Sequence, residues 1–337
     1  MPRILITGAT GLVGSHAASL WSERGWRVRA LVRPASDTSF LESLGCELVL
    51  GDLTDPASLR GSAGGCEVVL HAAAYLGIRA PWEGYRAPNV DGTRNILAES
   101  LHAGVRRFLH VSTVAVYGAP SQHDHLPIDE DTPTDLPVRE DAYYERSKRM
   151  AEAVVRATPV SRLPWTILRP AVVVGERDRH FTRRIVELTR YGVLPVVGDG
   201  ENPLPIVFAG NVAVALWLAA EREVAVGRTY NVTGDGRLTQ RQLFSIAAGE
   251  KGQLRLVPLP PALLRGVGSV LEAAFAALGR HRRPRLNRAR VWFLANPDPY
   301  DGGRIRRELE WNPTTSTVEG WTRSVAWYRQ SRAKGRA

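Results

Sequence analysis

Arg3-Ile4-Leu5-Ile6-Thr7-Gly8-Ala9-Thr10-Gly11-Leu12-Val13-Gly14 stands close to the start of the chain, and its reading decides the fold. Ile4 to Thr7 is an apolar and β-branched run with no polar alternation, the mark of a strand buried on both faces. Glycines at 8, 11 and 14 then carry the chain into a helix. Gly8 permits the tight turn, Gly11 lets the backbone approach a pyrophosphate, and Gly14 lets helix and strand pack closely. The helix start faces that phosphate position with unpaired N–H groups and the positive end of its dipole. The spacing is Gly-x-x-Gly-x-x-Gly, not the commoner Gly-x-Gly-x-x-Gly. Its place at the first strand–helix junction favours a nucleotide site over a plain turn.

Outward from this turn, the first half of the chain repeats the same rhythm. Strands are predicted at Arg3–Thr7, Arg27–Val32, Glu47–Leu50, Val68–Ala72, Arg107–Ser112 and Trp165–Arg169, and helices at Leu12–Arg24, Ser39–Leu44, Pro56–Arg60, Asn89–His102 and Asp141–Ala157. Apolar strands alternating with helices indicate βαβ units and an α/β, doubly wound parallel sheet of Rossmann type. After Pro170 the rhythm breaks, and Pro, Gly and Arg become frequent. The expected organisation is a nucleotide-binding domain over 1–170, to which the chain returns around 205–232, and a smaller mixed substrate lobe over 171–337.

The 337 residues hold 44% hydrophobic and 23% charged residues, ordinary for a globular protein. The net charge of +10 is spread by arginine along the chain, so nucleic acid is not an expected partner. One basic run is concentrated, Arg280-His281-Arg282-Arg283-Pro284-Arg285, and it follows the amphipathic stretch Leu263–Leu278. A solvated helix end explains it, and so does weak association with an acidic membrane surface. No charged leader with an apolar core opens the chain, and Cys46 and Cys66 have no metal-ligand spacing. These features point to the cytoplasm, with peripheral contact at the inner membrane surface as an extension, and to no bound metal.

Two positions bear on cofactor choice. The second strand ends Ala30-Leu31-Val32-Arg33, with no carboxylate for a ribose 2′-hydroxyl and a guanidinium in reach of a 2′-phosphate. NADP is therefore preferred over NAD, although Arg33 could be incidental in so arginine-rich a chain. Asp52-Leu53 after the third strand suits an adenine, with a carboxylate for its amine and an apolar side chain for its face; a turn or cap role serves Asp52 equally. Lys148, one of only three lysines, sits four residues after Tyr144 on a predicted helix. Residues i and i+4 share a face, so phenol and ammonium can approach one site. A compact ammonium can donate to a sugar hydroxyl and lower the pKa of a nearby phenol.

Further signals follow in order: His71-Ala72-Ala73-Ala74, Asn89-Val90-Asp91-Gly92-Thr93, Ser112-Thr113-Val114-Ala115-Val116-Tyr117-Gly118, Tyr144 with Lys148, and Leu168-Arg169-Pro170. This series resembles the extended short-chain dehydrogenase/reductase family over nearly the whole chain. The resemblance implies that Tyr144 is the general acid/base and that Lys148 binds the nicotinamide ribose and holds the phenol pKa below its usual ~10. It implies that Thr113 polarises the substrate oxygen, with Ser112 as the fallback, and that Asn89 orients a water in a proton relay unless it caps its helix. The cofactor surface would comprise Gly8, Thr10, Gly11, Leu12, Val13, Gly14, Arg33, Asp52, Leu53, Ala72, Ala73, Ala74, Tyr144, Lys148, Pro170 and Val173.

Sugar-nucleotide dehydratases of the family carry Asp-Glu where this chain has Val114-Ala115, and many epimerases carry Asn where it has Val172. Later segments, including Gly198–Asn202, Ile206–Ala213 and Val257–Pro260, resemble the 3β-hydroxysteroid dehydrogenase branch. The expected function is NAD(P)-dependent interconversion of a secondary alcohol and a ketone on a small but bulky hydrophobic substrate, steroid-like or long-chain, in a homodimer. A nucleotide-sugar 4-epimerase with tightly held NAD uses the same Tyr/Lys pair, and a non-catalytic NADP sensor would use the same fold.

Overall fold

The computed structural model describes residues 1–77, 80–137, 139, 141–249, 254–278, 284 and 286–333. Its strands in chain order are β1 (Arg3–Thr7), β2 (Arg27–Val32), β3 (Glu47–Leu50), β4 (Val68–His71), β5 (Arg107–Val111), β6 (Trp165–Pro170), β7 (Val172–Val174), β8 (Val193–Val197), β9 (Ile206–Phe208), β10 (Thr229–Val232) and β11 (Arg255–Leu259). Seven of them form one parallel sheet in the order β10-β6-β5-β4-β1-β2-β3. Strand order reverses between β1 and β4, and a crevice opens at such a switch point beyond the carboxyl ends of the strands. The expected Rossmann-type α/β fold is the observed one.

Period-two alternation along β1 divides the core into two layers. Ile4 and Ile6 pack with Ala17, Ala18 and Trp21 of the Leu12–Glu23 helix and with Val212 and Leu216 of the Ala209–Glu221 helix. Leu5, between them, faces Ile96 and Leu97 of the Gly92–His102 helix and Val155 of the Tyr143–Arg156 helix. Both faces of β1 are thus covered, which is why it reads as an unbroken apolar run. A further core gathers Val174, Ile185, Leu204, Ile206, Leu243, Trp321 and Val325, around helices that follow β7.

Three details differ from the sequence expectations. Pro56–Leu59 is a 3₁₀ turn, with Asp55 capping it through Ala57 N–H at 3.0 Å. Asn89 does not open a helix. It lies inside the π-helical turn Ala87–Asp91, continuous with Trp82–Arg86 before it and Gly92–His102 after it. After β7 the chain makes two small parallel pairs, β7 with β9 and β8 with β11. Among the described residues no helix is long and apolar enough to cross a membrane.

Candidate active site

The glycine turn is forced by close contacts. Gly8 has φ +69°, and a Cβ there would meet Ala73 N at 2.6 Å and Ala73 Cα at 2.7 Å. A Cβ on Gly14 would run into the Gly8 carbonyl. Gly11 N–H donates to Gly8 O at 2.9 Å, closing the turn, and the helix begins at Leu12. Its first turn carries no acidic residue and no side-chain cap, so its N–H groups and dipole are left for an anion. Thr10 and Gly11 are exposed, with Leu12 and Val13 half-buried beside them. Opposite, Ala72, Ala73 and Ala74 continue β4 with backbone and methyl groups only, and Ala73 N–H reaches Thr7 Oγ1 at 3.4 Å. The residues present fit a dinucleotide.

At the adenosine end, Arg33 is exposed just past β2, close enough to Asp52 to lower its pKa. Larger contributions to that lowering come from Thr54, whose N–H and hydroxyl donate to Asp52 Oδ1 at 2.8 and 2.7 Å. One oxygen of Asp52 is therefore committed to a turn. Leu53 is half-buried and packs on the second core layer.

At the chemical end, β5 delivers Ser112 and Thr113 at its carboxyl terminus, and the Tyr143–Arg156 helix delivers Tyr144 and Lys148 from one face. Burial pushes the Tyr144 phenol pKa up, with Glu145 adding to the rise and the Thr113 side chain opposing it. Lys148 is 1% exposed, and its Nζ donates to Val111 O at 2.7 Å and meets His110 Nε2 at 3.3 Å. Burial pulls its pKa down to about 8, with Glu152 opposing. The expectation that Lys148 depresses the phenol pKa is thus not met in this arrangement. The ammonium is turned to the β5 end, and loss of solvent dominates at the tyrosine.

Asn89 is fully engaged by protein. Its Oδ1 accepts from Tyr75 N–H at 2.6 Å, and Nδ2 donates to Tyr75 O at 3.2 Å and to Ser147 Oγ at 2.9 Å. It takes no cap role and both amide hydrogens are spent, so it pins the segment after β4 to the helix of Tyr144. Arg169, at the end of β6, is also spent: Nε and Nη2 grip Glu152 at 2.9 and 2.6 Å, and Nη1 donates to Tyr117 Oη at 2.7 Å. Pro170 is buried beside it, and Val173 packs on the first core layer.

Two histidines were not assigned a role from sequence. His71 and His110 are register partners on β4 and β5, buried with ring centroids 5.4 Å apart. Thr93 Oγ1 donates to Asn89 O at 2.6 Å, so it accepts from His71 Nε2 at 2.9 Å, and His71 Nδ1 then accepts from Thr7 at 2.8 Å. Burial, then Lys148, holds the His71 pKa near 3 and that of His110 well below normal. Both rings are neutral, leaving Lys148 as the cation they flank. Arg177 was also missed: it has φ 72°, donates to Ser15 Oγ at 2.8 Å and lies 4.0 Å over Phe40. Pairing on adjacent strands, each one residue before the strand's end or at it, was the available signal for the histidines; Arg177 had none.

The chain is similar along its length to known proteins. It is 31% identical to Sterol demethylase protein B of Methylococcus capsulatus (strain ATCC 33009 / NCIMB 11132 / Bath), covering 97% of this chain and 98% of that one. It is 29% identical to the 2-alkyl-3-oxoalkanoate reductase of Stenotrophomonas maltophilia (strain K279a), covering 96% and 98%. Among solved structures, the crystal structure of gox2253 matches with a TM-score of 0.80 at 32% identity, covering 100% of this chain and 99% of that one. The UDP-glucose 4-epimerase of Thermotoga maritima matches at TM-score 0.74 and 22% identity, over 98% and 99%, a likeness of fold. The NAD dependent epimerase/dehydratase family matches residues 4–233, and with the glycine cradle and the Thr/Tyr/Lys constellation in place the chain belongs to that family, as an extended short-chain dehydrogenase/reductase.

Proposed function

We propose that the protein interconverts a secondary alcohol and a ketone on a bulky apolar substrate, with NADP preferred over NAD. The observation that carries this reading is the placement of Thr113, at the end of β5, near Tyr144, with Lys148 one turn further along the helix of Tyr144. A bound nicotinamide supplies the carbon that gives or takes hydride. Tyr144 Oη gives the proton to the substrate oxygen in reduction and takes it in oxidation. Its raised pKa keeps it protonated and competent as a donor. Thr113 Oγ1 lies on the same side and, with Tyr144, stabilises charge building on that oxygen. Lys148 can turn from Val111 O to a ribose hydroxyl, fixing the ring beside the phenol.

An apolar substrate is favoured by the wall next to Tyr144. Tyr143 meets Trp82 at 6.0 Å and Tyr85 at 5.8 Å between ring centroids, and Tyr85 meets Tyr75 at 5.1 Å. Val172 stands where many epimerases carry an Asn, and Arg169, three residues before it, is locked to Glu152. Relatives named for oxoalkanoate and quinoline-oxide ketone reduction support the same class. Tyr144→Phe is expected to lower turnover of an apolar ketone about 100-fold or more while cofactor affinity holds. Full turnover by that variant would overturn the assignment.

A further inference from the structure

Arg177 follows β7 in the segment 175–179, and the chain is tied down on both sides of it. Ser324 Oγ donates to Gly175 O at 2.7 Å, and His16 Nε2 donates to Glu176 O at 3.1 Å. Asp178 accepts from the N–H groups of His180, Phe181 and Thr182 at 2.9, 3.0 and 2.8 Å, and Arg179 pairs with Asp37 at 2.7 Å. Between these anchors Arg177 holds φ at 72°, a left-handed backbone that an L side chain adopts at a cost. Glycine would adopt it without that cost, so a side chain at this position needs a reason.

The side chain runs back to the glycine turn. Its guanidinium lies 4.0 Å over the Phe40 ring, and Nε donates to Ser15 Oγ at 2.8 Å. Ser15 belongs to the first turn of the Leu12–Glu23 helix: its N–H donates to Gly11 O at 2.9 Å and its hydroxyl to Leu12 O at 3.1 Å. Arg177 Nη1 and Nη2 meet no acceptor among the described residues, and the adjacent Glu176 carboxylate is turned to His16 Nε2, 3.5 Å away. Burial lowers the Arg177 pKa, with Glu176 opposing. A cation beside the positive end of a helix dipole is unfavourable by itself. An anion held between the two reverses the sign.

We infer that Arg177 is a further cofactor-binding residue, which donates through Nη1 and Nη2 to the diphosphate at the start of the Leu12–Glu23 helix. Stacking on Phe40 and the bond from Nε fix the plane of the guanidinium and leave its Nη1–Nη2 edge to match two phosphate oxygens. The tie to Ser15 selects the diphosphate over a 2′-phosphate, since Arg33 is the guanidinium that stands past the end of β2. The inference rests on the nicotinamide cofactor of the proposed function and is independent of its substrate. It also gives the C-terminal Thr317–Ala333 helix a hold on the cofactor, through Ser324 and the segment of Arg177.

Wild type and an Arg177→Gly variant are titrated with NADH and with NADPH, followed by dihydronicotinamide fluorescence. The variant is expected to bind both about 10- to 100-fold more weakly and by the same factor, because the diphosphate is common to them. Its thermal midpoint without cofactor is expected to stay within a few degrees of wild type, since relief of the left-handed backbone offsets the lost Ser15 and Phe40 contacts. Should it melt early, Arg177→Met, which keeps a stem against Phe40 and loses the charge, replaces it. Wild-type affinity for both cofactors in the variant would overturn the inference. A loss confined to NADPH would overturn it too, by moving the guanidinium to the 2′-phosphate. A wild type that binds neither cofactor would remove the dinucleotide itself, and the inference with it.

Discussion

Lys148 occupies a position that costs the fold stability. The side chain is 1% exposed, meets neutral His110, and its nearest carboxylate, Glu152, is already gripped by Arg169. Desolvation therefore lowers its pKa to about 8, against about 10.4 in an unfolded chain. Below pH 8 both states are charged and the folded state bears the whole penalty. Between pH 8 and 10.4 the unfolded chain binds the extra proton, so stability rises with pH across that window. Denaturant unfolding of wild type and Lys148→Met is expected to differ in pH slope there, the wild type gaining up to about 3 kcal/mol more. Parallel slopes would show that Lys148 is not desolvated as described.

The proposed preference for NADP rests on the end of strand β2, where Arg33 follows at a position at which other chains of this fold bring a carboxylate. Arg33 is exposed, its backbone held to Ser36 and its side chain beside Asp52. A guanidinium placed there contributes charge-assisted bonds to a 2′-phosphate and nothing comparable to a hydroxyl. In fluorescence titrations Arg33→Ala is expected to weaken NADPH binding about 10- to 100-fold and to leave NADH nearly unchanged. Equal affinity for both cofactors in the wild type would remove the 2′-phosphate from the account. The same strands mark what was readable beforehand. β1 announces itself most plainly, because its apolar run is buried on both faces, and β4 likewise reads as an apolar run that is buried throughout. The pairs β7–β9 and β8–β11 do not, because strands of three to five residues find partners more than thirty residues away. Tyr144 and Lys148 were legible as spacing on one helix, and Thr113 only through the family resemblance. The commitment of Asn89 to Tyr75 and Ser147 was not, since it depends on three segments converging.

At the scale of the whole molecule, one buried polar chain ties the central sheet to the C-terminal part. Glu152 grips Arg169 on β6, Arg169 donates to Tyr117, and Tyr117 donates to Asn231 on β10 at 2.9 Å. Asn231 Nδ2 then donates to Asp301 O at 3.1 Å and Ile128 O at 3.3 Å. Burial costs the Arg169–Glu152 pair much of its Coulombic gain, so the pair adds little net stability. Removing one partner is different, because the guanidinium would be left buried and uncompensated. Each attachment after Asn231 is a single hydrogen bond to a backbone carbonyl, whereas the Glu152 grip is bidentate and charged. Glu152→Ala is therefore expected to cost about 3–5 kcal/mol in denaturant unfolding, and Glu152→Gln less, because its amide oxygen still accepts one bond from Arg169. If Glu152→Ala cost under about 1 kcal/mol, Arg169 would have to find water in its place, and the route from β6 to the C-terminal segment would not depend on its charge.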